Sequence, residues 1–451
     1  MLRPYIIPSS MTTYLRRLGL FSGTMAVVGG IIGGGIFRTP ATVAERLHSP
    51  GSVLAAWVIG GIVALIGAFC WGELGQRRPR AGGGYVYLRE TFGPLPAFLY
   101  GWTLVLVIAT GAIAAVAVTF ADYTLALVGL PRTYSVPLAV AAIVLLAGIN
   151  YVGVYSAAIT QNIFTILKLV ALATLTGAGL LVVTPTVPYR PLPSPTVQSL
   201  GAALVPILFT YGGWQQTNFI AEEIVEPEKN LPRALVLGVA IVVAVYLLAN
   251  VAYLRVLGVA GLAASTAPAA DTMQALLGPA GGKIIAAGIA ISTFGFLNLV
   301  ILVTPRVLQA MAADGVFFQR LAVLHPVYRT PTAAIVALAG FAILLALTGT
   351  FGQLLDYVTF GDWIFFGLCA AALFIYRRRE HGAGSSSHAA PSSVLPAPFR
   401  VPGYPVTPIL FVGAAAFVVY SSIVSNPRNA TIGAGLIGLG IPAFLFWRSH
   451  P

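Results

Sequence analysis

Gly29-Gly30-Ile31-Ile32-Gly33-Gly34-Gly35-Ile36-Phe37 lies inside an apolar run near residues 18–47 that is long enough to cross a membrane. Five glycines fall within seven consecutive positions. Each disfavours a regular helix by about 1 kcal/mol relative to alanine. Gly29/Gly33 and Gly30/Gly34 also have the small-xxx-small spacing of closely packed helices. Packing accounts for one such pair; three consecutive glycines read more readily as an unwound segment.

A second apolar run, near 199–224, carries Leu208-Phe209-Thr210-Tyr211-Gly212-Gly213-Trp214, followed by Gln215, Gln216 and Asn218. Unwound backbone at membrane depth is tolerated only where it is buried in protein or lines a cavity. Freed N–H groups at helix N-termini bind a carboxylate, and freed carbonyls accept hydrogen bonds from an ammonium group. Two broken spans at corresponding places in the two halves of a chain point to an inverted-repeat carrier.

The rest of the sequence sets this reading in a membrane. Hydrophobic residues make up 58% of the 451 positions and charged residues 8%, against roughly a quarter charged in soluble domains. Apolar runs of about 20 residues match the hydrocarbon thickness when helical and are too continuous for barrel strands. The fold expected is all-α and integral to the membrane. Twelve spans are read near 18–47, 52–76, 94–121, 135–150, 158–183, 199–224, 234–257, 282–311, 331–349, 354–376, 406–425 and 430–447.

The net charge of +12 sits at span ends rather than in a basic stripe interleaved with aromatics, so nucleic acid is not an expected partner. Seventeen Lys and Arg, among them Arg3, Arg17, Arg77, Arg306 and Arg377, fall on the side of the N-terminus. Seven, among them Arg38, Arg46 and Arg190, fall on the other. The positive-inside rule then puts both termini in the cytoplasm and the protein in the cell membrane. Arg16 and Arg17 lead into the first span without a clear cleavage site, so no cleaved signal peptide is expected; Met11 is an alternative start. The basic and then Ser/Gly/Pro-rich stretch 377–398 reads as a flexible cytoplasmic loop. Asn429-Ala430-Thr431 is a sequon in a short outer connection.

Cys70 and Cys369 are the only cysteines and lie in apolar runs, and the five histidines fall outside span centres. No metal, cofactor or disulfide framework is expected, and enzyme chemistry lacks a nucleophile or metal cluster. Lys168 lies within a span, a turn or two from its inner end. It either snorkels to the interface or serves as a fixed cation, since a central lysine carries a penalty of about 2.5–3.5 kcal/mol. Glu73, Glu222, Glu223 and Arg306 lie at inner span ends, as an ion-pair gate or as ordinary interfacial charge. Asp362 is either a proton site or a hydrogen-bonded group near an outer end. The pocket motif itself has no acid beside Tyr211-Gly212-Gly213, which disfavours cationic substrates and polyamines.

The first glycine cluster resembles the Gly-Ser-Gly-Ile-Phe signature of the amino acid–polyamine–organocation superfamily. FTYGGWQQTNFIAEEIVEPEKNLPRAL (209–235), GELGQRRPRAGGGYVYLRETFGPLPAFLYGW (72–102) and PFRVPGYPVTPIL (398–410) resemble its L-type amino acid transporters. The resemblance covers essentially the whole chain. It implies a leucine-transporter-type repeat of five plus five spans, the first and sixth discontinuous, plus two C-terminal spans. The divisions implied are 1–183, 184–376, a loop at 377–405 and 406–451. It implies that the Ile31 carbonyl and the Gly33, Gly34 and Gly35 backbone hold an amino acid head group. Phe209, Tyr211 and Gly212, beside Gly213, would complete the amino-group site, with the Phe209 ring as outer gate. Lys168 would stand in for a sodium ion. Gly34 departs from the serine of many relatives, leaving one hydroxyl fewer near the carboxylate. The connection Asp122–Tyr134 has no cysteine, so no disulfide-linked heavy-chain partner is expected.

The function expected is sodium-independent transport of small to medium neutral L-amino acids, as exchange, with the bilayer and the amino acid as partners. The alternative is a proton-coupled symporter using Lys168 or Asp362. A substrate-sensing receptor or a membrane-embedded enzyme is disfavoured, because both ends are short and the spans hold no His or Cys constellation.

Overall fold

A computed structural model describes residues 13–181, 197–349, 351–383 and 399–449. Met1, Arg3, Met11, Arg190 and the stretch 384–398 lie outside the described residues.

The first apolar run forms α1 (Leu20–Ile31) and α2 (Thr39–Leu47), joined through a 3-10 turn at Gly35–Phe37. α3 (Pro50–Arg77) returns across the bundle, and a short helix, α4 (Gly84–Phe92), leads into the next rod. That rod is α5 (Pro94–Thr103), a π-helical stretch at Leu104–Ala109 and α6 (Thr110–Val128). α7 (Ser135–Val152) and α8 (Val154–Leu181) complete the first half. α9 (Val197–Thr210) then breaks into a 3-10 run, Trp214–Glu223. α10 (Pro227–Ala264), bent at Gly258, is followed by α11 (Pro268–Leu277), α12 (Pro279–Ala313), α13 (Thr332–Thr348) and α14 (Phe351–Ala383). α15 (Val406–Ser425), α16 (Pro427–Gly438) and α17 (Gly440–Ser449) close the chain. Pro50, Pro94, Pro227, Pro268, Pro279 and Pro427 open their helices, where the missing N–H would have no partner in any case.

Eight of these helical stretches are long and apolar enough to cross a membrane. α1 and α13 are shorter apolar helices. In the most apolar stretch of α12, 67% of residues are buried, against 22% in α15 and in Pro427–Arg448. α12 is therefore central, while the last helices face outward. α1 packs on α8 and α10, α3 packs on α10, and α12 lies against α6 and α8. Hydroxyl and amide side chains inside the helices turn back on their own backbone: Thr24 donates to Leu20 O, Thr103 to Leu99 O and Asn250 to Tyr246 O. These donors are thereby satisfied without water, as a bilayer favours.

Several boundaries differ from the sequence reading. α6 runs on to Val128, where Gly129 caps it, and α10 begins at Pro227, a proline at its first position, and ends at Ala264 before Ser265. The expected flexible loop from 377 is helical as far as Ala383, an extension of α14. Part of its charge is neutralised: Arg377 donates to both Glu73 oxygens, at 2.8 and 2.6 Å, and Glu380 pairs with Arg77. The sequon Asn429-Ala430-Thr431 lies in the first turns of α16 rather than in a loop.

Pro206 lies inside α9 and cannot donate to the carbonyl four residues back. Arg46 of α2 donates to that carbonyl, Ala202 O, and ties the two broken spans together.

Candidate functional site

The two breaks abut at the centre of the bundle. A Cβ added at Gly213 would lie 2.2 Å from Gly30 O, and one at Gly30 would lie 2.9 Å from Gly213 O. Gly213 also has φ +110°, which a side chain strongly disfavours. The glycine cluster of the first span divides by role. A Cβ at Gly29 would meet Gln161 Nε2 at 2.0 Å, and one at Gly35 would meet Thr210 at 2.8 Å. At Gly34 it would meet nothing within 4 Å. Gly29, Gly30 and Gly35 thus permit close packing, while Gly34 leaves open space.

Side chains from three further helices hold the α1 break. Lys168, in the middle of α8 and fully buried, donates from Nζ to Gly29 O at 3.1 Å and to Ile32 O at 2.8 Å. Its depth and burial exclude snorkelling; the cation is fixed between α8 and the end of α1. Ser292 of α12 donates to Ile32 O at 3.3 Å, and Tyr246 of α10 donates to Ile31 O at 3.0 Å. Gly33 N also donates to Ile31 O, at 2.9 Å. A carbonyl offers two lone pairs, so both of Ile31 O are engaged. Across the break, Thr39 donates to Thr210 Oγ1 at 2.8 Å, and Thr210 in turn donates to Pro206 O at 2.7 Å.

Other backbone groups are left over. Among the described residues, the N–H groups of Gly34 and Gly35 make no hydrogen bond, and the carbonyls of Tyr211 and Gly212 accept none. Gly34 is exposed and Gly35 and Gly212 are half-buried, so these donors and acceptors are open to a ligand with both polarities.

A cavity of about 510 Å³ lies against the two breaks. Gly33, Gly34, Gly35, Phe209, Gly212 and Gly213 line it, as does Ile31. Tyr211 does not: its ring is buried between Trp57 and Tyr246, and its hydroxyl donates to Trp57 O at 3.3 Å. Phe209 is 55% exposed. The far wall comes from the α5–α6 rod, with Leu104, Ile108 and Val116, and from α14, with Asp362, Trp363 and Phe366. An acidic side chain therefore does reach the cavity, carried by α14 rather than by the Tyr211-Gly212-Gly213 motif. The described side chains form no hydrogen bond or ion pair with Asp362.

At the end of the bundle that holds Arg17, the cavity is sealed. Arg306 makes a fork with Glu223, Nε to Oε1 at 2.7 Å and Nη2 to Oε2 at 3.2 Å, both side chains buried. Arg17 N and Leu18 N donate to Glu223 O, and Gly82 N donates to Phe219 O. Tyr14 reaches Gln309 at 3.4 Å, and Glu222 accepts from Ala81 N at 3.2 Å. Glu73 stands in a second network, with Arg77, Arg377 and Val401 N. The sequence grouped Glu73 with Glu223 and Arg306, but among the described residues they stand in separate networks.

Sequence reasoning missed Tyr246 and Ser292, which hold the break, and the buried amide chain Asn150–Asn298–Gln161, linked at 3.0 and 3.1 Å. Tyr246 and Asn298 each interrupt an apolar run, whereas Ser292 stands beside Thr293, Asn150 beside Tyr151 and Gln161 between Thr160 and Asn162, so little set them apart in the sequence.

Two broken helices around a membrane-depth cavity, with unpaired donors on one and unpaired acceptors on the other, define a polytopic carrier for a small dipolar solute. The amino acid permease profile matches residues 18–446, and the chain belongs to that family, whose members are permeases rather than enzymes. It is 32% identical to the human Asc-type amino acid transporter 1 over 97% of this chain and 83% of the relative. It is 31% identical to the mouse large neutral amino acids transporter small subunit 2 over 97% and 82%. With the human b(0,+)-type amino acid transporter 1 it shares 32% identity over 92% and 84%.

Proposed function

We propose that this permease exchanges small to medium neutral L-amino acids across the cell membrane by alternating access, without sodium. The observation that carries the reading is the set of unpaired groups at the breaks. Gly34 and Gly35 N–H suit a carboxylate, and the Gly212 carbonyl suits an ammonium, on adjoining sides of one cavity, with the unpaired Tyr211 carbonyl set behind the lining. The head group common to all amino acids is then bound by backbone alone. Ile31 O, already doubly engaged, would share its lone pairs with the substrate only weakly. The names of the relatives, Asc-type and large neutral amino acid transporters, support an amino acid cargo.

In this reading Lys168 occupies the place of a coupling cation, and Phe209 closes over the substrate from the outer side. The Glu223–Arg306 fork is the inner gate, shut in the conformation described. Twelve spans in a five-plus-five inverted repeat (1–183 and 184–376) carry the site, with 377–405 linking to a final pair at 406–451 and both termini cytoplasmic. Cys70 and Cys369 are buried, and the protein works without a disulfide-linked partner.

The test is uptake of labelled alanine into proteoliposomes loaded with or without internal amino acid. Exchange predicts uptake only with internal substrate; absence of counterflow for every amino acid tried would sink the proposal. Proton-coupled symport, the second reading, draws on Asp362 at the cavity wall and requires a pH gradient to drive uptake into unloaded vesicles.

A further inference from the structure

The backbone groups suited to the head group belong to the α1 and α9 breaks, whereas Asp362 enters the cavity from α14. The same cavity is lined by Trp363 and Phe366 of its own helix and by Leu104 and Ile108 of the α5–α6 rod. Arg38 is the cation among the lining residues, and no ion pair joins it to Asp362. A carboxylate lacking a partner at membrane depth is costly, and ionisable groups kept there mark substrate paths. Neither the packing nor the backbone of the described residues uses this one.

We infer that Asp362 is a specificity residue, and that the cavity takes amino acids whose side chain ends in an amine as well as neutral ones. This rests on the amino acid carrier reading above. With the α-carboxylate at Gly34 and Gly35 and the α-ammonium at the Gly212 carbonyl, the substrate side chain projects into the remaining cavity toward α14. An ammonium at its tip supplies the counter-charge that Asp362 lacks, as a charge-assisted hydrogen bond. Gly34, with open space at its Cβ position, leaves room for the head group to settle deep enough for that contact.

Competition against labelled-alanine counterflow in proteoliposomes, with the purified full chain, tests this. The competitors are two isosteric pairs: 2,4-diaminobutyrate with norvaline, and ornithine with norleucine. In at least one pair the diamino acid is expected to inhibit at a concentration roughly tenfold lower, about 1.4 kcal/mol. Asp362→Asn should bring that ratio near one, while Asp362→Glu keeps its direction. The ratio is read within each variant, so a change in overall rate cancels. Neutral isosteres inhibiting as well or better in the unaltered protein overturn the inference; they would mean that Arg38 or a proton neutralises Asp362. A preference that survives Asp362→Asn overturns it as well. If the unaltered protein shows no alanine counterflow, the exchange reading fails separately. The same four compounds in a thermal-shift measurement on detergent-solubilised protein then decide the matter. Greater stabilisation by a diamino acid than by its isostere supports Asp362 as the selector, and equal or smaller stabilisation refutes it.

Discussion

Lys168→Met asks whether the buried cation organises the site or merely fills space. Methionine retains most of the stem, which matters because Lys168 Cε would lie 3.4 Å from a Cβ at Gly295, so the surroundings are tightly packed. Two hydrogen bonds disappear, those from Nζ to Gly29 O and Ile32 O. Bonds to a charged group contribute about 1.5–3 kcal/mol each, together about 3–6 kcal/mol. Removing the charge returns about 2.5–3.5 kcal/mol of insertion penalty. Ile32 O keeps Ser292 as a donor, but Gly29 O loses its only side-chain partner among the described residues. A net loss of about 1.5 kcal/mol in the positioning of the α1 break follows, equivalent to roughly a tenfold weaker substrate affinity. Lys168→Ala should be worse, since it also leaves a cavity. The assay is the concentration dependence of alanine counterflow, normalised to protein recovered in the vesicles. Lys168→Met with the affinity and rate of the unaltered carrier would refute the argument, because the ammonium would then contribute nothing that a thioether cannot.

The glycines of the first break should separate cleanly under substitution. Gly34→Leu meets open space, so its melting temperature should stay within a few degrees while substrate stabilisation disappears; Gly29→Ala, driven against Gln161, should lower stability by about 1–3 kcal/mol. Glu223→Gln leaves a buried arginine half-paired and should weaken the sealed end by about 3–5 kcal/mol. A thiol placed by Thr304→Cys at the base of the cavity should then react faster with a membrane-impermeant reagent, and an unchanged rate argues against the gate. Arg377→Ala removes two bonds to Glu73 and should loosen the segment around Val401, read as faster proteolysis between α14 and α15. Equal cleavage rates would mean that the remaining Glu73 contacts suffice.

Much of the plan was legible from residue types alone, because a bilayer leaves few options. A chain with 8% charged residues and long apolar runs can satisfy its backbone only as helices, and Gly33-Gly34-Gly35 and Gly212-Gly213 can hardly continue one. The helix ends were less legible: Arg377–Arg379 look like the start of a loop until Glu73 is seen to neutralise part of that charge. Side-chain roles within the site were legible only where a residue was chemically out of place. Lys168 stood out for that reason; Tyr246 and Ser292 did not, since a hydroxyl in an apolar span is ordinary.

Local chemistry determined which backbone segments cannot be helical, because that depends on conformational preference at each residue. It could not assign one role to each glycine, since Gly29 and Gly34 are the same residue four positions apart. Only tertiary packing separated them, by setting Gln161 against one and empty space against the other. The same holds for the charges: Glu223 found Arg306, Glu73 found Arg377, and Asp362 came to the cavity wall without a partner. Electrostatic roles depend on distances across helices far apart in the chain, and those distances exist only once the helices have packed.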